Sequence, residues 1–193
     1  GLIGGSVGVI SGYLQGGRWG WIDAALMRLV DMLLSFPYLL LVMAIGAALD
    51  RTSATTVLLV LGLTSWLSTA RLIRAKTLVI REQGFVEAAR ALGQRSLPLL
   101  LRHIVPGVMG PLIVVSTAGM ASMILAESVL SYLQVGVQPP TATWGRMLQE
   151  GQHSMTLQPR LVLAPGVAIL VSVLGFHLLG EGLRDALDPR EGH

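Results

Sequence analysis

Five apolar runs dominate this chain: Gly1–Leu14, Met32–Leu49, Thr55–Ala70, Gly107–Leu133 and Leu161–Leu179. A helix needs about 20 apolar residues to cross a bilayer, because it rises about 1.5 Å per residue through a hydrocarbon core of about 30 Å. The four later runs are long enough to span if helical. The first reaches only about 21 Å and reads as the second half of a truncated helix. No run sustains the alternation of a strand, so the pattern predicts an all-α membrane protein, a helical bundle of about five spans. Composition agrees: 52% of the 193 residues are hydrophobic and 13% charged, against roughly 25% charged in a soluble domain. A mean hydropathy of +0.66 excludes intrinsic disorder. Cysteine is absent, which removes disulfides and thiolate metal sites. The net charge of +3 is too small to argue for nucleic acid, and no nucleic-acid partner is expected. The chain opens at Gly1 inside an apolar run with no charged leader region, which reads as a fragment.

Within the first run Gly4, Gly8 and Gly12 recur every fourth residue and lay a bare strip along one helix face, suited to close helix packing. Gly4-Gly5-Ser6-Val7-Gly8 also fits the serine-hydrolase elbow pattern. That chemistry needs a strand before the serine and acid and histidine partners, which an apolar helix does not supply. Gln15–Asp31, with Arg18, Trp19, Trp21, Asp23 and Arg28, suits the membrane surface. Ser35-Phe36-Pro37 marks a kink near the start of the second run.

Arg71, Arg74, Lys76, Arg81, Arg90, Arg95 and Arg102 are seven of the fourteen basic residues, and they fall in one segment, 71–106, read as an extramembrane loop. Alternation puts Gln15–Asp31 and the tail on the same side, giving eleven basic residues there against Arg51, Arg146 and Arg160 on the other. The positive-inside bias therefore makes the basic loop and the C-terminus cytoplasmic. An anchor to anionic lipid is the plain account of such a loop, but its pattern is more specific. Phe85–Leu92 is a short helix with Ala88, Ala89 and Ala91 for close approach, and Gly93 ends it in a left-handed cap. Ser96 is expected to cap a second short helix with Leu97 and Pro98 at its first positions and Leu97, Leu100 and Leu101 on one apolar face. Two short helices meeting at a glycine form a protruding elbow.

Glu87-Ala88-Ala89, Gly93 and His103-Ile104-Val105-Pro106 resemble the E-A-A-x3-G-x9-I-x-L-P signature of permease subunits of binding-protein-dependent ABC importers. The departures are His103 for isoleucine and Val105 for leucine, both read as lying away from the elbow. Gly136-Val137-Gln138-Pro139-Pro140 with Trp144-Gly145-Arg146-Met147-Leu148 is similar to a run in the C-type subunit of the dipeptide, oligopeptide and nickel permeases, with Gln134-Val135 replacing an expected Gly-Leu. The tail Leu183–Arg190 resembles that group's terminus. The resemblance implies a type I ABC importer transmembrane domain over the whole of 1–193, with one helix and the start of another missing upstream. It implies a second permease subunit, two cytoplasmic ATPase subunits holding ATP and Mg, and an extracytoplasmic substrate-binding protein. Coupling to the ATPases is implied for Glu87, Ala88, Ala89, Gly93 and Pro106. The motor lies elsewhere, since the one lysine, Lys76, follows no glycine-rich turn that would grip phosphate. No cofactor and no metal are expected in this chain, and it is not read as an enzyme.

Glu127, the ionisable group within a span, is either a pathway or gate residue or a structural hydrogen-bond acceptor near the interface. His177 reads as a helix-to-helix hydrogen bond, and Asp50, Arg51 and the Pro139-Pro140 loop face outward, towards a binding protein. A proton-coupled secondary transporter is the rival reading, but Glu127 and His177 are too few for a relay. The four histidines lie in different segments and do not suggest a metal site. Substrate identity stays open among dipeptide, oligopeptide and nickel.

Overall fold

The computed structural model describes residues 1–17, 19–48 and 54–187. Arg18, Asp50, Arg51, the end of the charged tail from Asp188 and His193 lie outside the described residues. Among the described residues ten α-helices follow in order: α1 (Leu2–Leu14), α2 (Gly20–Leu34), α3 (Tyr38–Ala48), α4 (Ala54–Thr64), α5 (Trp66–Arg81), α6 (Gly84–Ala91), α7 (Ser96–Leu99), α8 (Val105–Tyr132), α9 (Trp144–Gly151) and α10 (Arg160–Leu187). A π-helical turn, Leu100–Ile104, joins α7 to α8. Among the described residues three helical stretches are long and apolar enough to cross a membrane: Ala54–Arg81, Ser96–Tyr132 and Arg160–Ala186. Gly20–Leu34 and Tyr38–Ala48 together make a fourth if they count as one broken span, and Leu2–Leu14 is a shorter apolar helix.

Several boundaries differ from the sequence reading. Gln15–Asp31 is mostly helix: α2 begins at Gly20, well before the apolar run, and buries Asp23, Met27 and Val30. The kink at Ser35-Phe36-Pro37 is a full break. Proline has no N–H to donate and disfavours helical backbone in the residue before it, and Ser35 Oγ donates back to the Met32 carbonyl at 2.6 Å. The segment 71–106 is largely helical: α5 runs on through Arg81, α6 follows at Gly84–Ala91, and a further helical run starts at Ser96. Basic residues are good helix formers, so their density marks the end of a span without ending the helix.

The chain forms two compact units. The first comprises Gly1–Ser35, Trp66–Ser116 and the last turns of α10 from Gly180. Here α1 lies directly on α5 along its glycine strip. A β-carbon at Gly4 would stand 2.6 Å from the Trp66 carbonyl oxygen, one at Gly8 2.6 Å from that of Ala70, and one at Gly12 2.8 Å from Thr77 Cβ. The strip does the packing its spacing predicts. One apolar cluster, Val9, Ile73, Ile80, Val86, Leu99, Ile104 and Val108, joins α1, α5, α6, α7 and the start of α8. A second, Met27, Val30 and Leu67, holds α2.

The second unit comprises Phe36–Ser65 and Thr117–Leu179. Its core is Val42, Val57, Val60, Leu61, Ala126, Leu130 and Val137. After α8 the chain turns sharply at Gln134, whose φ is +64°, and the Leu130 carbonyl accepts from the N–H groups of both Val135 and Gly136. Thr143 caps α9, its Oγ1 accepting from the Arg146 N–H at 3.3 Å. The far end of α9 meets α10 where Gly151 approaches the Leu161 carbonyl; a β-carbon there would stand 3.1 Å from the oxygen. Leu161 O is the acceptor that Pro165, lacking an N–H, leaves without its helical donor, so the backbone of α9 has room to come close.

Candidate functional site

The elbow is built from α6, Gly93, α7 and the π-turn, all in the first unit. Val86 of α6 is fully buried and Ala89 packs against the same cluster, while Glu87 and Ala88 remain exposed. Glu87 sits in the first turn, where a carboxylate is favoured by the positive end of the helix dipole. Leu92 caps the helix and Gly93 follows with φ +78°. The Gly93 N–H donates to Arg90 O at 3.0 Å and the Gln94 N–H to Ala89 O at 3.2 Å. This pair of bonds is a Schellman closure, and it requires the left-handed residue that glycine supplies. A β-carbon at Gly93 would meet nothing within 4 Å, so backbone conformation and not space selects glycine there.

The second helix begins one residue earlier than its sequence suggests. Arg95 occupies the N-cap in extended conformation and Ser96 is the first helical residue, not the cap. Pro98 still falls in the first turn, where its missing N–H costs nothing. Of the three leucines read as one face, Leu97 and Leu101 are exposed and Leu100 packs partly against the core, while the residue driven inside is Leu99. Leu99 and Ile104 are five residues apart, and both are buried because the intervening turn is π-helical. That turn, in which the Val105 N–H reaches Leu100 O, precedes exposed Pro106 at the second position of α8. It takes up the disruption that a donorless residue brings to a continuous helix.

His103 is not remote from the elbow, contrary to the sequence reading. Its Nε2 lies 3.1 Å from Gln94 Oε1, next to Gly93, and its ring is tilted against Phe85 at a centroid distance of 6.1 Å. The departure from the signature thus ties the π-turn to the start of α6 and to the Schellman loop. Outward the elbow presents Phe85, Leu92, Leu97 and Leu101, all more than half exposed, among the exposed cations Arg90, Arg95 and Arg102. An apolar knob ringed by charge is suited to docking in a partner's groove.

Behind the elbow is a cluster that sequence reasoning missed. Asp23 of α2 is 3% exposed. Arg74 of α5 grips it as a fork, Nε to Oδ1 and Nη2 to Oδ2, each at 2.7 Å, and Ser11 of α1 donates to the same Oδ1. Arg71 pairs with Asp31 at 2.6 Å. Arg81 Nη1 donates to the Gln15 carbonyl at 2.6 Å and lies 3.4 Å from those of Gly12 and Tyr13, which caps the negative end of α1. Three of the seven clustered cations therefore hold helices together. The only local signal was an acid in a polar segment, because its partner is 51 residues away.

Glu127 stands apart, on α8 in the second unit. It is half-buried and its Oε1 accepts from Ser131 Oγ at 2.7 Å, one turn along the same helix. Pro139 and Pro140 are exposed and line a hollow of about 300 Å³ with Arg146 and Glu150, which are themselves paired at 2.7 Å. His177 is exposed on α10, without the expected helix-to-helix hydrogen bond among the described residues.

Residues 4–193 match the family model described as binding-protein-dependent transport system inner membrane component. The chain belongs to this family. Within it, the chain is 41% identical over 189 residues to the glutathione transport system permease protein GsiD of Escherichia coli O6:K15:H31, covering 98% of this chain and 62% of that protein. The GsiD proteins of Shigella boydii serotype 4 and Shigella flexneri serotype 5b are 41% and 42% identical over 189 and 171 residues, covering 98% and 89% of this chain and 62% and 56% of theirs. The chain thus spans about three-fifths of the curated relatives it matches. As a member of an inner-membrane transport family, it carries the elbow on the residues that its sequence signature marks.

Proposed function

We propose that this chain is the transmembrane permease subunit of an ATP-driven importer for small peptides, including glutathione-like tripeptides, or for nickel. It pairs with a second permease subunit and takes cargo from an extracytoplasmic binding protein. Two cytoplasmic ATPase subunits, which hold ATP and Mg, drive it; this chain holds no cofactor and performs no hydrolysis. The observation that carries the reading is the elbow: the Glu87–Pro106 signature folds as a Schellman-closed turn with Phe85, Leu92, Leu97 and Leu101 outward. Glu87, Ala88 and Gly93 lie on its accessible side, Ala89 packs against the buried cluster and Pro106 opens α8 after the π-turn, so closure of the ATPases moves the elbow and, through Val86, the helices behind it. The excess of basic residues on the elbow side supports a cytoplasmic elbow and C-terminus. A peptide cargo is supported by the glutathione transport named for the relatives.

A proton-coupled transporter is the rival. Glu127 is committed to a hydrogen bond within its own helix, which favours a structural acceptor over a relay. The deciding experiment is uptake of radiolabelled glutathione, dipeptides and nickel into proteoliposomes holding the whole complex, with binding protein outside and ATP inside. The expected result is uptake that requires both ATP and binding protein and survives a protonophore. Uptake that persists without ATP and collapses with the proton gradient would establish the rival.

A further inference from the structure

The glycine strip seats α1 on α5, with Thr69, Ile73 and Thr77 of α5 against Gly4, Gly8 and Gly12, but it holds no residue of α2. The same unit contains a feature that reaches all three helices. The fork of Arg74 on Asp23 uses both carboxylate oxygens, and Ser11 adds a third donor from α1. A bidentate arginine–carboxylate pair fixes orientation as well as distance. Burying such a pair is a poor way to gain net stability, since apolar residues of similar volume often do as well. Its value here is geometric: one residue from each of α1, α2 and α5 meets at a single point.

The position of that point matters. Force on α6 enters through Val86 into the cluster with Val9 of α1 and Ile73 and Ile80 of α5. That cluster contains no residue of α2. The ties from α2 to α5 include the Met27–Val30–Leu67 cluster, with Leu26, Leu33, Leu34 and Trp66 packed against it, and the two ion pairs, Asp23–Arg74 and the exposed Asp31–Arg71. Exposed pairs contribute little. We propose that the Ser11–Asp23–Arg74 cluster is a register lock that makes α1 and α2 move as one body with α5 and the elbow, and that Asp23 and Arg74 are positioning residues for coupled transport.

The proposal rests on the permease function and is tested in the whole complex with its ATPases and binding protein. The chain has no native cysteine, so spin labels at Leu29→Cys on α2 and Val79→Cys on α5, both exposed positions, report the distance the lock sets. With the native cluster this distance is narrow and unchanged between the nucleotide-free and ATP–vanadate-trapped complexes. Arg74→Lys keeps the charge but loses the fork, and Ser11→Ala removes one donor with little risk to folding. In both, the distance broadens or shifts on trapping, and glutathione uptake per ATP falls, by about tenfold in Arg74→Lys, within the usual range of coupling between sites. A merely structural role would lower the yield of complex and leave uptake per ATP unchanged. Distances and coupling ratios equal to wild type in both variants overturn the lock. Wild-type complex that takes up no cargo with ATP overturns the permease reading instead, and the label distances, which need no cargo, still decide the lock.

Discussion

Gly145 lies so close to Ser128 that a β-carbon built on it would stand 2.0 Å from the Ser128 carbonyl oxygen. Gly136 has the same relation to Ser131, whose Oγ would be 2.5 Å away. Both glycines belong to the stretch whose sequence resembles the dipeptide and nickel permeases, and both seat the chain after α8 back onto α8. That stretch is a packing element before it is anything else.

Gly145→Ala therefore forces α9 away from α8. Overpacking against rigid backbone costs about 2–3 kcal/mol, and thermal unfolding of the purified chain should register a clear drop in Tm. An unchanged Tm would mean that α9 is not seated as described.

Gly8 and Gly62 make a matched pair. The first faces the Ala70 carbonyl and the second has open space around it. Gly8→Ala is expected to destabilise by about 2 kcal/mol, whereas Gly62→Ala gains about 0.5–1 kcal/mol from helix propensity alone. The same assay reads the opposite signs.

Gln134 holds a left-handed backbone conformation, φ +64°, where the related pattern has glycine. An L-residue there costs about 1–2 kcal/mol, so Gln134→Gly should stabilise by about 1 kcal/mol once the greater freedom of the unfolded glycine is set against it. The bond from Gln138 Nε2 to the Gln134 carbonyl, 2.8 Å, uses backbone and survives the change. A lower Tm for the variant would contradict this account of the turn.

At the elbow, folding and docking separate by residue. Leu99→Ala empties a buried site and costs about 2–4 kcal/mol. Leu97→Ala, at an exposed position, is expected to leave stability within about 0.5 kcal/mol and, on the proposed function, to weaken association with ATPase subunits, measured by co-purification and by uptake. Gly93→Pro and Glu87→Lys are expected to abolish coupled uptake, the first by destroying the Schellman closure and the second by reversing the charge at the exposed face of α6. Full uptake in both would remove the elbow from the mechanism.

The elbow was legible because its determinants are local. Gly93 ends α6 through bonds spanning a few residues, and the alanines and Glu87 fall at fixed spacing from it. The inward face was not legible, since the α-period leads to Leu97, Leu100 and Leu101, and only the π-turn brings Leu99 and Ile104 inside together. His103 was misread for a related reason: nine residues from Gln94 in sequence, it returns to the elbow because the chain reverses at Gly93.

By itself the sequence determined the membrane class, the glycine contact face of α1, the cap at Gly93 and the family, all of which depend on composition, helical period or a short motif. Tertiary structure alone decided what the charges do. Arg71, Arg74 and Arg81 read as a solvated basic run, yet they bind Asp31, Asp23 and the end of α1 across 40 to 69 residues of chain. A charge next to an apolar span has two stable fates, water or an acceptor within the protein, and which it meets depends on what the fold brings within about 3 Å of it, a distance that no sequence spacing encodes.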